Sequence, residues 1–324
     1  MSVSTRIQYN NPVVLQRADP WIYKHTDGFY YFTASVPEYD RIELRRAEHI
    51  NDLSAAQTVT VWQRHNAGEM SFLIWAPELH YCEGKWYIYF SASKTPEVFD
   101  HRIYVLECAA PNPLEGEWVE KGRIDTGRDT FALDATTFEF KGRQYLVWAQ
   151  NDPAIAGNTN LYIALMKNPW VLDSEAVMLT YPEYEWERKK FWVNEGPAVM
   201  QRNGKIFITY SASATDSNYC MGLLWADDSV SLQDAGNWHK SDRPVFATSE
   251  ANGQFGPGHS SFTTAEDGVT DLLVYHARNY AAITGDELND PNRHTRVQTF
   301  TWGPDGMPIF GEPVPDTFGT SSIM

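Results

Sequence analysis

The sequence predicts an all-β fold, a single five-bladed β-propeller formed by residues 1–324. The first observation is a repeat of aromatic-rich runs, each led by a glycine, at intervals of 56 to 64 residues: Gly28, Gly84, Gly142, Gly204 and Gly268. A period of this size is typical of a ring or stacked array of like units. The second observation is that runs such as GKWYIYFSAS hardly alternate between apolar and polar residues, which is typical of strands covered on both faces. Five such units favour a propeller.

Each repeated unit contains a β-hairpin. Another short apolar stretch precedes the glycine, and a tight turn with Asp-Gly, Lys-Gly or Asn-Gly joins the two, as in ADPWIYKHTDG, LDATTFEFKG and NEGPAVMQRNG. Such turns between two strand-like runs predict hairpins. We expect the first strand of each hairpin to line the central channel and to begin near residues 19, 76, 134, 195 and 259.

Polar residues occupy the same place in four of these hairpins. Asp19, Asp134, Glu195 and His259 lie eight or nine residues before their glycines, where the second copy has Ala76. If these positions are equivalent, they converge on one end of the axis and face one cavity. A single acidic residue there often only caps a turn, but three in register indicate a site. Two opposed carboxyl groups are the usual equipment for glycosidic cleavage, provided that burial or a neighbouring charge raises the pKa of the acid.

Five short motifs carry a resemblance to a known family. The segments ADP (18–20), WAPE (75–78), LDA (133–135), NEGP (194–197) and GPGHSSF (256–262) resemble glycoside hydrolase family 43, in the family's order and over nearly the whole chain. The resemblance implies an inverting hydrolase in which Asp19 is the general base, Glu195 the general acid, and Asp134 the residue that tunes the pKa of the acid and orients it. Inversion requires room for a water between two carboxyl groups roughly 6.5–9.5 Å apart.

The resemblance also implies a substrate class. Family members act mainly on arabinofuranosides and xylosides, and many of the xylosidases have a second, β-sandwich domain. Because this chain ends with its fifth unit, we expect the arabinan-directed branch. The runs at 24–47 and 216–226 resemble single-domain exo-acting α-L-arabinofuranosidases that trim α-1,5-linked arabino-oligosaccharides. An endo-arabinanase or β-xylosidase of the same family stays open, and so does a propeller that binds carbohydrate without catalysis.

Three further residues are candidates for binding. The indole face of Trp75 predicts a platform for a sugar ring, with packing between blades as the alternative. Arg296 falls where the family has an arginine near the sugar hydroxyls and Asp134, with an exposed arginine beside a strand as the alternative. In related arabinan-cleaving propellers the histidine that corresponds to His259 lies beside a hydrated cation, often calcium. The resemblance therefore implies a metal contact of His259 through water, with a hydrogen-bonded structural histidine as the alternative, and no cofactor for the chemistry.

Composition restricts the partners and the compartment. Hydrophobic residues make up 43% of the chain, and without a run of about 18 apolar residues no membrane span is predicted. The net charge of −16 argues against nucleic acid and anionic membranes as partners and suits a neutral sugar. The first residues show no charged segment followed by an apolar one, and three cysteines form no disulfide framework. We therefore expect a cytoplasmic enzyme, whose oligomeric state the sequence leaves open.

Overall fold

Five antiparallel sheets surround a central axis in the computed structural model, which describes residues 8–317. Within each sheet the strands follow chain order, except that Val177–Thr180 in the third sheet pairs with Asn160–Asn168. The first strand of every sheet contacts the first strands of its two neighbours, and the first strand of the fifth sheet returns to that of the first. This cyclic contact pattern confirms the predicted five-bladed β-propeller.

The blades differ mainly in their outer strands. Blade 1 consists of Ala18–Lys24, Tyr30–Ser35, Arg41–Ala47 and Val59–Gln63. Blade 2 consists of Phe72–Cys82, Lys85–Ser93, Arg102–Cys108 and Val119–Arg123. Blade 3 consists of Ala132–Phe140, Arg143–Gln150, Asn160–Asn168, Val171–Leu172 and Val177–Thr180. Blade 4 consists of Asn194–Arg202, Lys205–Ala212, Cys220–Asp227 and His239–Lys240. Blade 5 consists of Phe255–Thr264, Asp271–Arg278 and His294–Thr299, and a small sheet of Thr301–Trp302 and Pro308–Ile309 follows it.

The hydrophobic core is divided into five clusters, one at each interface between neighbouring blades. Successive residues of a second strand belong to different clusters, because side chains alternate between the two faces of a strand. Tyr30 packs against blade 5, whereas Tyr31 packs against blade 2. Val147 likewise faces blade 4, and Trp148 faces blade 2. Both faces are therefore buried, which explains why these strands lack an alternating pattern.

The hairpin turns fall into two lengths. In blades 2, 3 and 4 the first and second strands are joined by two residues, Glu83-Gly84, Lys141-Gly142 and Asn203-Gly204. All of these residues have positive φ, as a type I′ turn requires. In blades 1 and 5 the connections are longer, 25–29 and 265–270. The number of residues between the strand start and the glycine therefore differs among blades.

The ring is closed by the segment that precedes blade 1. The backbone N–H of Val13 donates to the carbonyl of Thr295 at 2.9 Å, and the N–H of Thr295 donates to Val14 at the same distance. The side-chain amide of Asn11 both donates to and accepts from the backbone of Val297, at 2.8 Å in each case. This segment thus pairs with the outer strand of blade 5 and fastens the first blade to the last.

Helical structure is confined to short 3-10 segments in the part of the chain that the structure describes: Ile50–Asp52, Val98–Asp100, Glu185–Glu187 and Ala235–Asn237. Among residues 8–317 there is no helix with the length and apolar character needed to traverse a bilayer.

Candidate active site

A pocket of about 320 Å³ opens on the axis at the end where the first strands begin. Its lining includes Asp19, Asp134, Glu195 and His259, the four polar residues that the sequence analysis expected to meet in one cavity. Trp75 lines the same pocket. Residues more than 200 positions apart in the sequence thus share one chamber, because each occupies the inner start of its blade.

A β-bulge interrupts the pairing of every first strand at the floor of this pocket. The first residue of the bulge has a φ of +45° to +54° in each blade: Asp19, Ala76, Asp134, Gly196 and His259. The sequence analysis placed Glu195 in this series, but Glu195 precedes the bulge and pairs with Ser211. The bulge residue of blade 4 is a glycine, and the carboxylate lies one position earlier.

The N–H groups of the bulge residues donate to the preceding blade. The hydrogen bonds run from Ala76 to Ser35 (2.8 Å), Asp134 to Ser91 (3.0 Å), His259 to Ser211 (2.7 Å) and Asp19 to His276 Nδ1 (3.0 Å). Blade 3 has Ala149 at this place, opposite Leu133, and its methyl group is no acceptor. The N–H of Gly196 donates instead to Oδ2 of Asp134 at 3.0 Å. This ring of hydrogen bonds fixes the strand starts relative to one another.

Asp19 is held as a buried carboxylate. Ser35 donates to its Oδ2 at 2.6 Å, and Nη1 of Arg293 and Nδ1 of His259 lie 3.4 and 3.3 Å from its Oδ1. Burial alone would raise the pKa of Asp19, but His259, Arg293 and His276 together outweigh it and hold the pKa below its ordinary value. Burial lowers the pKa of both histidines, so Arg293 carries the full positive charge beside Asp19 at neutral pH.

The pKa of Glu195 is shifted in the opposite direction. Burial is the main effect, and with the charge of Asp19 it raises the pKa of Glu195 to about 7. The Tyr219 hydroxyl donates to Oε1 of Glu195 at 2.7 Å and opposes this rise, because it favours the ionised form. The ring of Tyr219 stacks on His276, with 5.6 Å between centroids. Gly258, the second glycine of the GPGH segment, leaves room for Tyr219, because a Cβ at this position would come within 2.5 Å of the Tyr219 ring.

Asp134 is linked to Glu195 by charge and by the chain. Burial is again the largest effect, and the charges of Glu195 and Asp19 add to it, so the pKa of Asp134 lies well above its ordinary value. The N–H of Gly196 opposes the rise. Two carboxyl groups that interact in this way titrate as a pair rather than as independent groups. Gly196 is required here, because its φ is +53° and a Cβ would lie 3.1 Å from the His259 ring.

The arginine of the pocket is Arg293, not Arg296 as the sequence analysis expected. Arg296 is fully buried, and its guanidinium binds Asp316, Asn279 and backbone carbonyls outside the pocket. The physical reason is its place on the third strand of blade 5, which lies farther from the axis than the first. Arg293 precedes that strand, in the connection that passes over the pocket, and its Nη2 donates to the Tyr39 hydroxyl at 2.8 Å.

Two further residues were not predicted from the sequence: Tyr219, which lines the pocket, and His276, which contacts Asp19 and Tyr219 from outside it. His276 was interpreted as structural, yet its ring accepts the N–H of Asp19 and supports Tyr219. A sequence signal for His276 exists, because it stands where the other second strands carry Ser35, Ser91 and Ser211. Tyr219 has no such signal, since it comes from a loop whose path the repeat does not determine.

His259 and Trp75 line the pocket from blades 5 and 2. Within residues 8–317 no three His, Cys, Asp or Glu side chains come together in a way that could ligate a metal ion. Among the described residues there is thus no such cluster at His259, and the predicted contact of His259 with a cation through water stays a prediction. The indole of Trp75 stacks on His101 with 4.0 Å between centroids.

Two N–H groups in the pocket have no acceptor among the described residues. They are Nε1 of Trp75 and Nε of Arg293, and both are shielded from solvent. Buried donors are nearly always satisfied in folded proteins, so donors of this kind in a pocket are suited to a ligand with hydroxyl oxygens. The pocket thus combines these donors with two carboxyl groups whose pKa values are shifted in opposite directions, Asp19 downward and Glu195 to about 7, a combination that general acid–base chemistry requires.

Comparison with known proteins also indicates a glycoside hydrolase. The family model for Glycosyl hydrolases family 43 matches residues 9–308. The extracellular exo-α-(1→5)-L-arabinofuranosidase of Streptomyces avermitilis is 55% identical over 97% of this chain and 65% of its own length. An enzyme of the same name from Streptomyces chartreusis is 53% identical over 86% of this chain and 85% of its own length. The crystal structure of α-L-arabinofuranosidase from Lactobacillus brevis superimposes with a TM-score of 0.94 at 60% identity, covering 96% of this chain and 98% of that one.

These relatives also correct one expectation. The prediction of a cytoplasmic enzyme is wrong by this comparison, because the two Streptomyces relatives are named extracellular. The prediction depended on the composition of the first residues and on the small number of cysteines, which are indirect indicators of compartment. The chain spans about two thirds of the length of the Streptomyces avermitilis relative.

Proposed function

The chain belongs to glycosyl hydrolase family 43, as its five motifs predicted, and we propose that it is an α-L-arabinofuranosidase. Its substrate in this proposal is an α-1,5-linked arabino-oligosaccharide, from which it removes the terminal arabinofuranosyl residue with inversion. The observation that carries the proposal is the opposite ionisation of two buried carboxyl groups in one pocket, Asp19 below and Glu195 above their ordinary pKa. The names of the relatives at 53% to 60% identity support the choice of sugar.

In the proposed reaction Glu195 transfers its proton to the glycosidic oxygen as the bond from that oxygen to the anomeric carbon breaks. Asp19 accepts a proton from a water molecule whose oxygen attacks the anomeric carbon from the opposite face. The products are arabinose of inverted anomeric configuration and an oligosaccharide shorter by one residue. Arg293 and Ser35 keep Asp19 ionised and oriented for this role.

Asp134 has the role of modulator in this proposal. Its carboxylate accepts the N–H of Gly196, the residue that directly follows Glu195, and this hydrogen bond favours the ionised form of Asp134. The two carboxyl groups both have raised pKa values and titrate as a pair, and in this proposal the proton that they share is on Glu195 when the substrate binds. The same hydrogen bond fixes the backbone that carries Glu195. The unpaired donors of Trp75 and Arg293 would bind hydroxyl groups of the sugar.

The alternatives make different predictions for the products. An endo-arabinanase would release oligosaccharides from linear arabinan, and a β-xylosidase would release xylose from xylobiose. A carbohydrate-binding propeller without catalysis would release nothing. The chain is 55% and 53% identical to two relatives that are named exo-α-(1→5)-L-arabinofuranosidases, and this similarity favours the exo reaction.

The experiment that tests the proposal measures hydrolysis of arabinotriose, xylobiose and linear arabinan, with proton NMR to identify the anomer released first. We expect arabinose from arabinotriose, in the β configuration at early times. Glu195→Gln should lower kcat on arabinobiose by at least about a hundredfold, as loss of general acid catalysis does. It should affect a 4-nitrophenyl α-L-arabinofuranoside much less, because nitrophenolate leaves without a proton.

Asp19→Asn is the matched comparison, since the base is needed whatever the leaving group. We expect it to lower kcat on both substrates by a similar, large factor. If either variant hydrolyses arabinobiose with a kcat near that of the wild type, the role proposed for the substituted residue is wrong. A circular dichroism spectrum equal to that of the wild type shows that each variant is folded.

A further inference from the structure

We propose that the leaving-group part of the oligosaccharide binds in a second depression beside the catalytic pocket, called here the outer groove. This proposal builds on the proposed function and assigns a place to the sugar residues beyond the one that is released. The outer groove has a volume of about 370 Å³, and its lining includes Phe99, Arg102, Asp129, Phe131, Asn151 and Asn158.

The outer groove lies next to the catalytic pocket. Phe99, Phe131 and Asn158 line both depressions, so a chain that leaves the pocket over these residues enters the groove directly. Its volume is within the range of roughly 300–1,000 Å³ that is typical of small-molecule sites. The groove can therefore hold a substantial extension of the ligand in the pocket.

An aromatic wall runs from the pocket to the groove. Trp75 stacks on His101 at 4.0 Å, His101 meets Phe131 at 5.9 Å, and Phe131 meets Phe99 at 5.4 Å between ring centroids. The Phe99 side chain is 57% exposed at the end of this wall. Aromatic faces are common platforms for the apolar face of a sugar ring, and an exposed phenylalanine between two depressions is suited to this contact.

The rest of the groove is polar but carries little net charge. The carboxylate of Asp129 accepts from Arg102 at 2.9 Å and from Arg123 at 2.8 Å, so its charge is compensated. The side-chain amide of Asn151 donates to the carbonyl of Asn158 at 2.9 Å, whereas the side-chain amide of Asn158 has no hydrogen bond to another residue in 8–317. A neutral ligand with many hydroxyl groups fits such a surface better than an ion does.

The groove is lined from blades 2 and 3, and a backbone hydrogen bond links its edge to the strand of blade 4 that carries the proposed acid. Thr159 follows Asn158, and its carbonyl accepts the N–H of Asn194, the residue before Glu195, at 3.1 Å. Asp19 is held from other elements, by Ser35 on blade 1 and by Arg293 and His276 near blade 5, and none of these lines the groove. The leaving group departs on the side of the general acid, so the direction of the groove agrees with the roles proposed above.

The test compares kcat/KM for arabinotriose with kcat/KM for 4-nitrophenyl α-L-arabinofuranoside, whose aglycone is short. For Phe99→Ala we expect the ratio of the two values to fall about tenfold, which corresponds to about 1.4 kcal/mol. Hydrolysis of the nitrophenyl substrate by the wild type shows independently that the proposed function holds. If the wild type fails on every arabinofuranoside, the function is wrong, and the ratio is not defined.

The matched control is Phe191→Ala. Phe191 is also an exposed aromatic residue of the catalytic pocket, 43% exposed, but it does not line the outer groove. We expect this variant to change both substrates by the same factor. The proposal is overturned if Phe99→Ala leaves the ratio at the wild-type value, or if Phe191→Ala lowers it as much, since the chain would then leave the pocket elsewhere.

Discussion

Tyr219 lowers the pKa of the proposed acid, and a substitution by phenylalanine removes its hydroxyl alone. The Tyr219 hydroxyl is 2.7 Å from Oε1 of Glu195, and it lowers a pKa that burial raises to about 7. Hydrogen bonds to charged groups contribute about 1.5–3 kcal/mol, and 1.36 kcal/mol corresponds to one pKa unit. In Tyr219→Phe we therefore expect the pKa of Glu195 to rise by about one to two units.

The assay is the pH dependence of kcat/KM on arabinobiose, whose leaving group needs a proton. A general acid is active when protonated, so its pKa sets the alkaline limb of the profile. We expect this limb to move toward higher pH in Tyr219→Phe, with the acid limb unchanged. Tyr280→Phe is the control, because it removes a hydroxyl that binds Asp290 outside the pocket.

An alkaline limb that stays in place in Tyr219→Phe, or moves to lower pH, refutes this reasoning. An equal displacement in Tyr280→Phe also refutes it, because the effect would then come from the loops rather than from the hydrogen bond. A purely structural role of Tyr219 would lower the rate at all pH values without displacing either limb.

The remaining predictions concern the two carboxyl groups, Asp19 and Glu195, on either side of the bond that is cleaved. Arg293→Met should raise the pKa of Asp19 and displace the acid limb toward higher pH, whereas Arg293→Lys should restore it; an undisplaced limb in the methionine variant would show that Arg293 does not stabilise the carboxylate. Folding should depend on pH through Glu195, whose pKa is 4.5 ordinarily and about 7 here. The folded state binds more protons between these values, so wild-type stability falls as pH rises through this window, by up to about 3 kcal/mol. Glu195→Gln should therefore gain in melting temperature over the wild type from pH 5 to pH 8, and a difference independent of pH would contradict this explanation.

The sequence predicts the fold well because a repeated structure leaves a repeated pattern. Second strands buried on both faces must be apolar throughout, and Tyr30 and Tyr31 show this directly, since they pack against different neighbours. The type I′ turns are indicated in the sequence by their glycine. The closure of the ring by residues 11–14 could not be read in this way, because a short segment that adds to an outer edge has no repeated counterpart.

The candidate site is predicted less evenly. Asp19, Asp134 and His259 belong to the repeat, so counting from the glycines finds them. Arg293 belongs to a connection whose length and path are peculiar to blade 5, and the family resemblance led instead to Arg296, whose guanidinium is bound to Asp316. Sequence periodicity thus finds the side chains that the scaffold presents and misses those that loops bring over the pocket.

The position of Glu195 relative to the bulge can be predicted when the length of the hairpin turn is included in the count from the glycine. Blades 2, 3 and 4 have two-residue turns, and in blades 2 and 3 the bulge residue lies eight positions before the glycine. The same count in blade 4 gives Gly196, so the sequence already indicates that Glu195 lies one position before the bulge, as Trp75 does in blade 2. The displacement has a chemical consequence. With a glycine at the bulge, the His259 ring fits closely and the Gly196 N–H binds Asp134. The proposed acid and its proposed modulator are therefore joined through one peptide unit, so a side chain introduced at residue 196 should disturb both carboxyl groups together.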